Sequence, residues 1–343
     1  MSSLIVICLM NLLIEFTHGQ GVLPSGDPYF CVPPGVCPDA GGIDPRIMTP
    51  TGTAQPGLLT CPPGMVPCIA QGPTSNCGSR LVRVTNMADG EAQYGAYPWQ
   101  AFLMGPTNNF IGSGSLISPY HILTAAHKVL AYTANPSQLT VIMGVNDPAA
   151  MNNPPAAPRA RARRISIYNA ANYNNNTLKN DIAVITLATP ISLIGQNSVN
   201  TICLPGATTT PATYMARQRC VVSGWGQLQP TNPAVPTKLK QVTVNTTDLA
   251  TCITGFSGRV NTDVYLDQTG GQLCAGGEAQ KDACFQDGGA PLTCGAGTAA
   301  SRYTVAGIVI WGKSCGQPGV YGVYTNVPFY RQWILSEITQ RIA

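Results

Sequence analysis

Charged residues are scarce in this sequence of 343 residues. Only 10% of them are Asp, Glu, Lys or Arg, whereas 44% are hydrophobic. A chain with so little charge and so much apolar surface can bury a core, which excludes disorder for most of its length. The formal net charge of +4 is too small to indicate a nucleic-acid-binding protein.

Long apolar runs are missing beyond the N-terminus. One run, from Leu4 to Ile14, is followed by small and polar residues near Gly19. It is too short for a membrane anchor and is typical of a secretory signal. We therefore expect residues 1–19 to be a signal peptide, and the mature protein to be secreted, extracellular and without a membrane-spanning segment.

Metal-binding motifs are absent as well, and the cysteines indicate disulfides instead. No zinc or EF-hand spacing is present, so we expect neither a metal nor a cofactor. The chain has 13 cysteines, of which Cys8 lies in the predicted signal. The even number that remains is typical of disulfide pairing in a secreted protein.

Two segments differ in composition. Residues 20–80 hold five cysteines among many Pro and Gly and show hardly any periodic apolar pattern, so this part needs covalent cross-links. From about residue 94, short β-type runs are separated by Gly, Pro and Asn clusters, which predicts an all-β sandwich or barrel. The last segment has helical apolar spacing, at Phe329, Trp333, Ile334, Ile338 and Ile342.

Ordered motifs over residues 80–343 resemble those of chymotrypsin-like serine proteases. LTAAHK (123–128) resembles the TAAHC segment around the family's histidine, and KNDIAVITL (179–187) resembles the strand that carries its aspartate. The later motifs follow in the family's order: CVVSGWG, QLCAGG, KDACFQDGGAPLTC, IVIWG and QPGVYGVYTNV. The resemblance implies an all-β fold of two antiparallel β-barrels with a C-terminal helix and an active site between the barrels.

The same resemblance implies a catalytic triad with one member missing. The chemistry needs a serine nucleophile, a histidine base and an aspartate that orients the imidazole. By the motifs, the base is His127, the orienting carboxylate is Asp181, and the nucleophile of the family's GDSGGP falls on Gly288. Losing this nucleophile lowers turnover roughly a millionfold. His127 and Asp181 are then either a retained base and orienter or a buried hydrogen-bonded pair kept for packing.

Three further departures agree with a loss of catalysis. Gln286 replaces a glycine whose N–H helps to form the oxyanion hole, and Ile310 replaces a serine that bonds the buried aspartate. The chain also lacks the Arg/Lys-IVGG cleavage site, whose freed amine pairs in active relatives with the aspartate matched here by Asp287. The resemblance therefore implies a protease fold that no longer cleaves.

A specificity pocket is the second site that the resemblance implies. Asp282, Gly312 and Gly319 match the pocket that takes Arg or Lys in trypsin-like enzymes. A carboxylate below an open slot can hold a basic side chain. In the alternative interpretation the pocket is vestigial.

The N-terminal segment resembles an arthropod clip domain. CVPPGVC, IDPR (43–46) and CPPGMVPC follow the order of the clip pattern, with four cysteines instead of six. We expect a divergent clip-like domain at 20–70, a linker at 71–93 and the protease homologue at 94–343. The two resemblances together imply these disulfides: Cys31–Cys61, Cys37–Cys68, Cys77–Cys203, Cys220–Cys294, Cys252–Cys274 and Cys284–Cys315. The family's bridge beside the histidine is absent at both ends, where Lys128 and Gly112 stand.

Weaker signals concern modification and charge. Asn175 and Asn245 fit N-glycosylation acceptors, and Arg46 is a candidate regulatory cleavage point within the clip. PRARARRIS (158–166) is either an exosite for an acidic partner or sulfated glycan, a processing site, or a solvated loop that leads into a strand.

The resemblance implies a catalytically inactive clip-domain serine protease homologue, of the prophenoloxidase-activating-factor or masquerade type. Such a protein acts as a non-enzymatic cofactor or regulator in an extracellular protease cascade such as prophenoloxidase activation in innate immunity. Its partners would be other cascade proteases or prophenoloxidase-type substrates, with self-association as a further option. The alternatives are a negative regulator of the same cascade, including a venom protein, a trypsin-like endopeptidase with residual activity, and an adhesion or matrix protein.

Overall fold

The computed structural model describes most of the chain from residue 77 onward. The described residues are 20–22, 28–32, 66–68, 77–153, 156–193, 197–215, 217–227, 237–256, 266, 269–295 and 302–339. The predicted signal peptide, Arg46, Cys37 and Cys61 lie outside them, and so do both predicted clip disulfides. The first three ranges are β-strands that form one antiparallel sheet in the order β1-β2-β3.

Antiparallel strands make up most of the described chain. Their bounds are β1 Gln20–Val22, β2 Pro28–Val32, β3 Val66–Cys68, β4 Gly90–Glu91, β5 Gln100–Met104, β6 Phe110–Ser118, β7 His121–Thr124, β8 Thr140–Met143, β9 Arg159–Ile167, β10 Ala183–Leu187, β11 Arg219–Gly224, β12 Lys240–Thr247, β13 Gln272–Gly276, β14 Pro291–Gly295, β15 Tyr303–Trp311 and β16 Tyr321–Asn326.

The first barrel is closed by six strands in the order β10-β7-β6-β5-β8-β9. The burial of side chains along strand β9 explains why this sequence forms one wall of the barrel. Ala160 and Ala162 are buried while Arg159, Arg161 and Arg163 are exposed, which is the two-residue alternation of a half-buried strand. The arginine cluster therefore lies within a strand, and the interpretation as a loop leading into a strand is wrong.

The second barrel follows the same plan. Its strands run in the order β11-β14-β15-β16-β13-β12, and pairing of β11 with β12 closes the circle. The short strand β4 adds to β12, with Gly90 opposite Gln241 and Glu91 opposite Lys240. Two closed six-stranded antiparallel barrels confirm the predicted fold class.

Helices are few in the described residues, and the longest follows the last strand. They are α1 Ala126–Val129, α2 Leu249–Phe256 and α3 Val327–Thr339. The predicted C-terminal helix is confirmed, but its buried face contains Tyr330, Ile334 and Ile338, whereas Phe329 is 39% exposed. Helical spacing located the element, but it did not distinguish Phe329 from the neighbouring Tyr330, which fits into the core.

Hydrogen bonds join the two barrels around the cleft between them. Thr325 Oγ1 donates to the carbonyl of Asp181 over 2.6 Å. The N–H of Ser113 donates to the carbonyl of Gly288 over 3.2 Å. These contacts fix residues of the first barrel against residues of the second, so the cleft has a defined geometry.

Candidate active site

The predicted base and its orienting carboxylate lie in contact. His127 follows β7 and Asp181 precedes β10, and these strands pair with Thr124 opposite Ala183. The pairing brings the two loops to the same barrel edge. Asp181 Oδ2 lies 2.6 Å from His127 Nδ1, and its Oδ1 accepts the backbone N–H of His127 over 2.8 Å. The carboxylate is fully buried as a side chain, whereas the imidazole is 21% exposed.

This geometry holds the imidazole in the orientation that a base needs. The Nδ1 side faces Asp181, so Nε2 faces the cleft. A Cβ placed on Gly288 would lie 2.7 Å from Nε2. Gly288 therefore occupies the position from which a serine would reach the imidazole, and it has no side chain that could attack.

A lysine occupies the space that the missing side chain leaves. The same Cβ on Gly288 would overlap Lys128 Cε, and a Cβ on Gly112 would lie 3.0 Å from Lys128 Cγ and Cδ. The alkyl stem of Lys128 thus runs between two glycines that together leave room for it. Burial lowers the pKa of Lys128, and the nearby carboxylates of Asp287 and Asp181 oppose that shift. In the sequence, Lys128 and Gly112 were interpreted only as replacements for two cysteines. The signal that could have placed Lys128 in the site is the occurrence of glycine at both 112 and 288, which leaves room for the lysine side chain.

The turn that would form the oxyanion hole contains two residues with positive φ. Gln286 has φ 74° and Gly289 has φ 84°. The left-handed region favours glycine, so Gln286 adopts it at an energetic cost. The side chain of Gln286 is exposed, and the site therefore differs from the glycine-containing turn of the active family.

Asp287 is satisfied without a freed N-terminal amine. Its Oδ1 accepts the N–H of Gly226 over 2.7 Å and its Oδ2 accepts the N–H of Cys284 over 2.9 Å. Burial raises the pKa of Asp287 to about 6, while these two donors and Lys128 act to lower it. The segment that replaces IVGG instead lies at the surface, where Asp89 Oδ1 accepts the N–H of Thr243 over 2.8 Å.

The glycine next to Asp282 differs from the predicted one. A Cβ on Gly322 would lie 3.0 Å from Asp282 Oδ1, and the atom nearest to a Cβ on Gly312 is the Gly322 Cα, at 3.9 Å. Gly319 lies in the turn before β16, where its N–H donates to Gly277. The assignment of Gly319 is therefore corrected to Gly322. The repeat GVYGVY (319–324) allows two alignments three residues apart, which explains the shift.

Among the described residues, one carboxylate oxygen of Asp282 has a hydrogen-bond donor and the other has none. Its Oδ2 accepts the N–H of Gly316 over 3.2 Å. Its Oδ1 is buried and makes no hydrogen bond within the described part of the chain. Burial raises the pKa of Asp282 to about 7, the backbone donors of Gly316 and Ala283 oppose the shift, and Asp287 adds to it.

The other predicted positions fall on the surface or within the disulfide framework. Asn175 and Asn245 are both exposed, and Asn245 Nδ2 donates to Glu278 over 2.7 Å. The described residues contain four of the disulfides that the resemblance implies: Cys77–Cys203, Cys220–Cys294, Cys252–Cys274 and Cys284–Cys315. No cluster of His, Cys, Asp or Glu suited to a metal ion occurs among the described residues.

The comparison with known families decides the relationship. Residues 89–334 match the Trypsin family. The chain belongs to the trypsin family. Similar proteins include the inactive CLIP domain-containing serine protease A3 of Aedes aegypti, 36% identical over 90% of this chain and 66% of that protein. Phenoloxidase-activating factor 2 of Galleria mellonella is 31% identical over 76% of this chain and 86% of its own length.

A third similar protein is matched over a smaller share of its own length. Protein masquerade of Drosophila melanogaster is 32% identical over 75% of this chain but only 23% of that protein. The chain thus spans slightly less than two thirds of the mosquito relative and under a quarter of masquerade. This trypsin-family chain is a protease homologue similar to inactive CLIP-domain proteins. None of its described helices is long and apolar enough to cross a membrane.

Proposed function

We propose that this trypsin-family chain is a secreted, catalytically inactive serine protease homologue that acts as a non-enzymatic cofactor or regulator in an extracellular protease cascade. The observation that carries the proposal is Gly288 opposite His127 Nε2, with Lys128 in the space of the absent side chain. A base with no nucleophile in reach cannot form an acyl-enzyme. The rest of the barrel pair is intact, so it can still present loops and a cleft to a partner.

The relatives support a cascade of the prophenoloxidase type. One similar protein is named as a phenoloxidase-activating factor and others as inactive CLIP-domain proteases. The partner would be a cascade protease or a prophenoloxidase-type substrate, which this chain holds without cutting. The predicted signal peptide and the disulfides agree with a secreted, oxidising setting.

A reconstituted activation assay tests this function. Prophenoloxidase and its activating protease are mixed with and without the purified protein, and phenoloxidase activity is followed over time. We expect a change in activation that survives prior treatment of the homologue with a serine-directed phosphonate, because no hydroxyl takes part. Acceleration identifies a cofactor and retardation a negative regulator. If pretreatment with the phosphonate removes the effect, hydrolysis carries the function.

The cleft also retains a feature that favours recognition of a basic side chain. Asp282 Oδ1 is buried without a described hydrogen-bond partner beside Gly322, and neither Gly322 nor the neighbouring Gly312 adds a side chain there. A buried carboxylate oxygen without a partner is costly unless a ligand satisfies it. We therefore assign the pocket to an Arg or Lys side chain of the partner.

A further inference from the structure

Lys128 places an amino group close to the position of the absent hydroxyl. Its Cε occupies the space of a Cβ on Gly288, beside His127 Nε2. The ammonium lies one bond beyond Cε. The stem is held by the backbone of Gly112 on one side and Gly288 on the other, so the charge is positioned by packing along much of the side chain.

The carboxylates nearest to Lys128 already have other donors. Asp181 accepts two hydrogen bonds from His127, and Asp287 accepts the N–H groups of Gly226 and Cys284. The ammonium of Lys128 makes no ion pair or hydrogen bond with any residue in the described ranges. An ammonium has three donors, so this one retains the capacity to bind an anionic group brought by a ligand.

The position of this amine relative to the pocket determines which ligand fits. In active trypsin-like enzymes, the residue whose basic side chain enters this pocket is the one whose carbonyl carbon the serine attacks. The same pose here would bring that carbonyl to Gly288. If the peptide continues, that carbonyl belongs to a neutral amide. If the peptide ends there, it belongs to a carboxylate, which an ammonium binds by a charge-assisted hydrogen bond.

We propose that the cleft selects peptides that end in Arg or Lys with a free carboxylate, with Lys128 binding the carboxylate and Asp282 binding the basic side chain. This is the chain end that a protease with trypsin-like specificity leaves after it cuts. The inference rests on the pocket assigned under the proposed function, and it makes the homologue a receptor for cleaved rather than intact chains. The site would thus sense that an upstream cleavage has taken place.

A matched pair of peptides tests the proposal. Fluorescein-labelled Gly-Gly-Phe-Arg is prepared with a free C-terminal carboxylate and, separately, as the C-terminal amide, and both are titrated with the full-length protein by fluorescence anisotropy. We expect the acid to bind about tenfold or more tightly than the amide. If the unmodified protein binds the two peptides equally, or binds the amide more tightly, the proposal is wrong.

Three variants locate the effect. Lys128→Met keeps the stem but not the charge, so it should bring the two affinities together. Asp282→Asn should weaken both peptides while the preference for the acid remains. Lys313→Met is the matched control, because Lys313 is exposed and adjacent to Gly312, and it should leave the preference unchanged. A loss of preference in the Lys313 variant would assign the effect to general surface charge and contradict the role of Lys128.

Folding and function are separated by two further readouts. Circular dichroism and thermal unfolding check each variant, and Lys128→Arg, which retains the charge, should keep a preference for the acid if Lys128→Met does not fold. The cascade assay is read independently of these peptides. A protein that modulates the cascade without preferring the acid disproves this inference alone, whereas one that prefers the acid but leaves the cascade unchanged disproves only the proposed function.

Discussion

At the residue scale, the site is defined by how Gly288 and Lys128 complement each other. The base and its carboxylate keep the geometry of an active pair, with 2.6 Å between His127 Nδ1 and Asp181 Oδ2. What has changed is the other side of the imidazole, where a glycine and a lysine stem replace a serine. Because the two replacements occupy one volume, a side chain can be restored at Gly288 only if Lys128 moves or is shortened.

Substitution of Gly288 should therefore be destabilising until Lys128 is shortened. The backbone of Gly288 lies outside the left-handed region, so the cost of a new side chain comes from packing. We expect Gly288→Ser to lower the free energy of unfolding by about 1–3 kcal/mol, a typical cost of overpacking. In a Lys128→Ala background the cost should fall by about 1 kcal/mol or more, because residues in contact are coupled.

Chemical unfolding of the unmodified protein, Gly288→Ser, Lys128→Ala and the double variant measures this coupling. Gly288→Ala is the matched control, since it adds the same Cβ without a hydroxyl and should behave like Gly288→Ser. Additive effects of the two substitutions would contradict the packing described here.

The pKa of Asp282 leads to a prediction about ligand binding. Burial raises it to about 7 in the free protein, and an amidinium ligand needs the ionised carboxylate. Binding of p-aminobenzamidine, followed by its fluorescence, should therefore strengthen as pH rises, by about tenfold between pH 6 and pH 8. Asp282→Asn should bind weakly at both pH values. Tighter binding at pH 6 than at pH 8 would contradict the assignment.

At the scale of elements, the sequence predicted more of the fold than of the site. Short β-type runs predicted an all-β sandwich or barrel, and helical spacing predicted the C-terminal helix. The two barrels were implied by the resemblance of the ordered motifs to a known family. The sequence did not reveal that Arg159 to Arg164 belong to a strand, since arginines mask the buried alanines between them. It also misplaced one pocket glycine, because a repeated tripeptide fits the motif in two registers and only strand pairing decides between them.

Strand β7 begins with a buried histidine that should make stability depend on pH. His121 is fully buried, its Nδ1 lies 2.7 Å from Ser118 Oγ, and burial lowers its pKa from 6.5 to about 4. Between these values the unfolded chain binds the proton more readily than the folded protein, so stability falls as pH drops. The loss attributable to His121 between pH 7 and pH 5 is about 2 kcal/mol.

The variant His121→Leu removes this titration from both states. Its unfolding free energy should fall by about 2 kcal/mol less than that of the unmodified protein between pH 7 and pH 5. The buried carboxylates titrate in both proteins, so their contributions cancel in the difference. Urea unfolding at the two pH values gives the comparison, and an equal loss in both proteins would show that His121 does not contribute.

At the scale of the whole molecule, the hydrogen bonds of Asp287 predict that the active-site region does not depend on N-terminal processing. Asp287 takes its hydrogen bonds from Gly226 and Cys284, and the segment at 83–93 is held at the surface by Gln93, which bonds Thr85 and Arg83. Among the described hydrogen bonds and ion pairs, none joins a residue of this segment directly to Asp287. A cut within it should therefore leave the barrels unchanged.

A specific cleavage site inserted after Arg83 tests this independence. After cutting, the two pieces should remain joined by Cys77–Cys203 and separate on a gel only after reduction. The unfolding free energy should change by less than about 1 kcal/mol, as for other surface changes away from buried features. A large gain in stability on cutting would indicate that a freed amine completes the fold, as in active relatives. The uncut protein with the same insertion is the control.

The central claim is that no nucleophile faces His127, and active-site titration with a fluorophosphonate tests it most directly. The purified protein and an equal amount of active trypsin are treated with the same reagent, and intact mass is measured for both. We expect a full adduct on trypsin and an unchanged mass for this protein. A stoichiometric adduct on a serine of this chain would contradict the central claim.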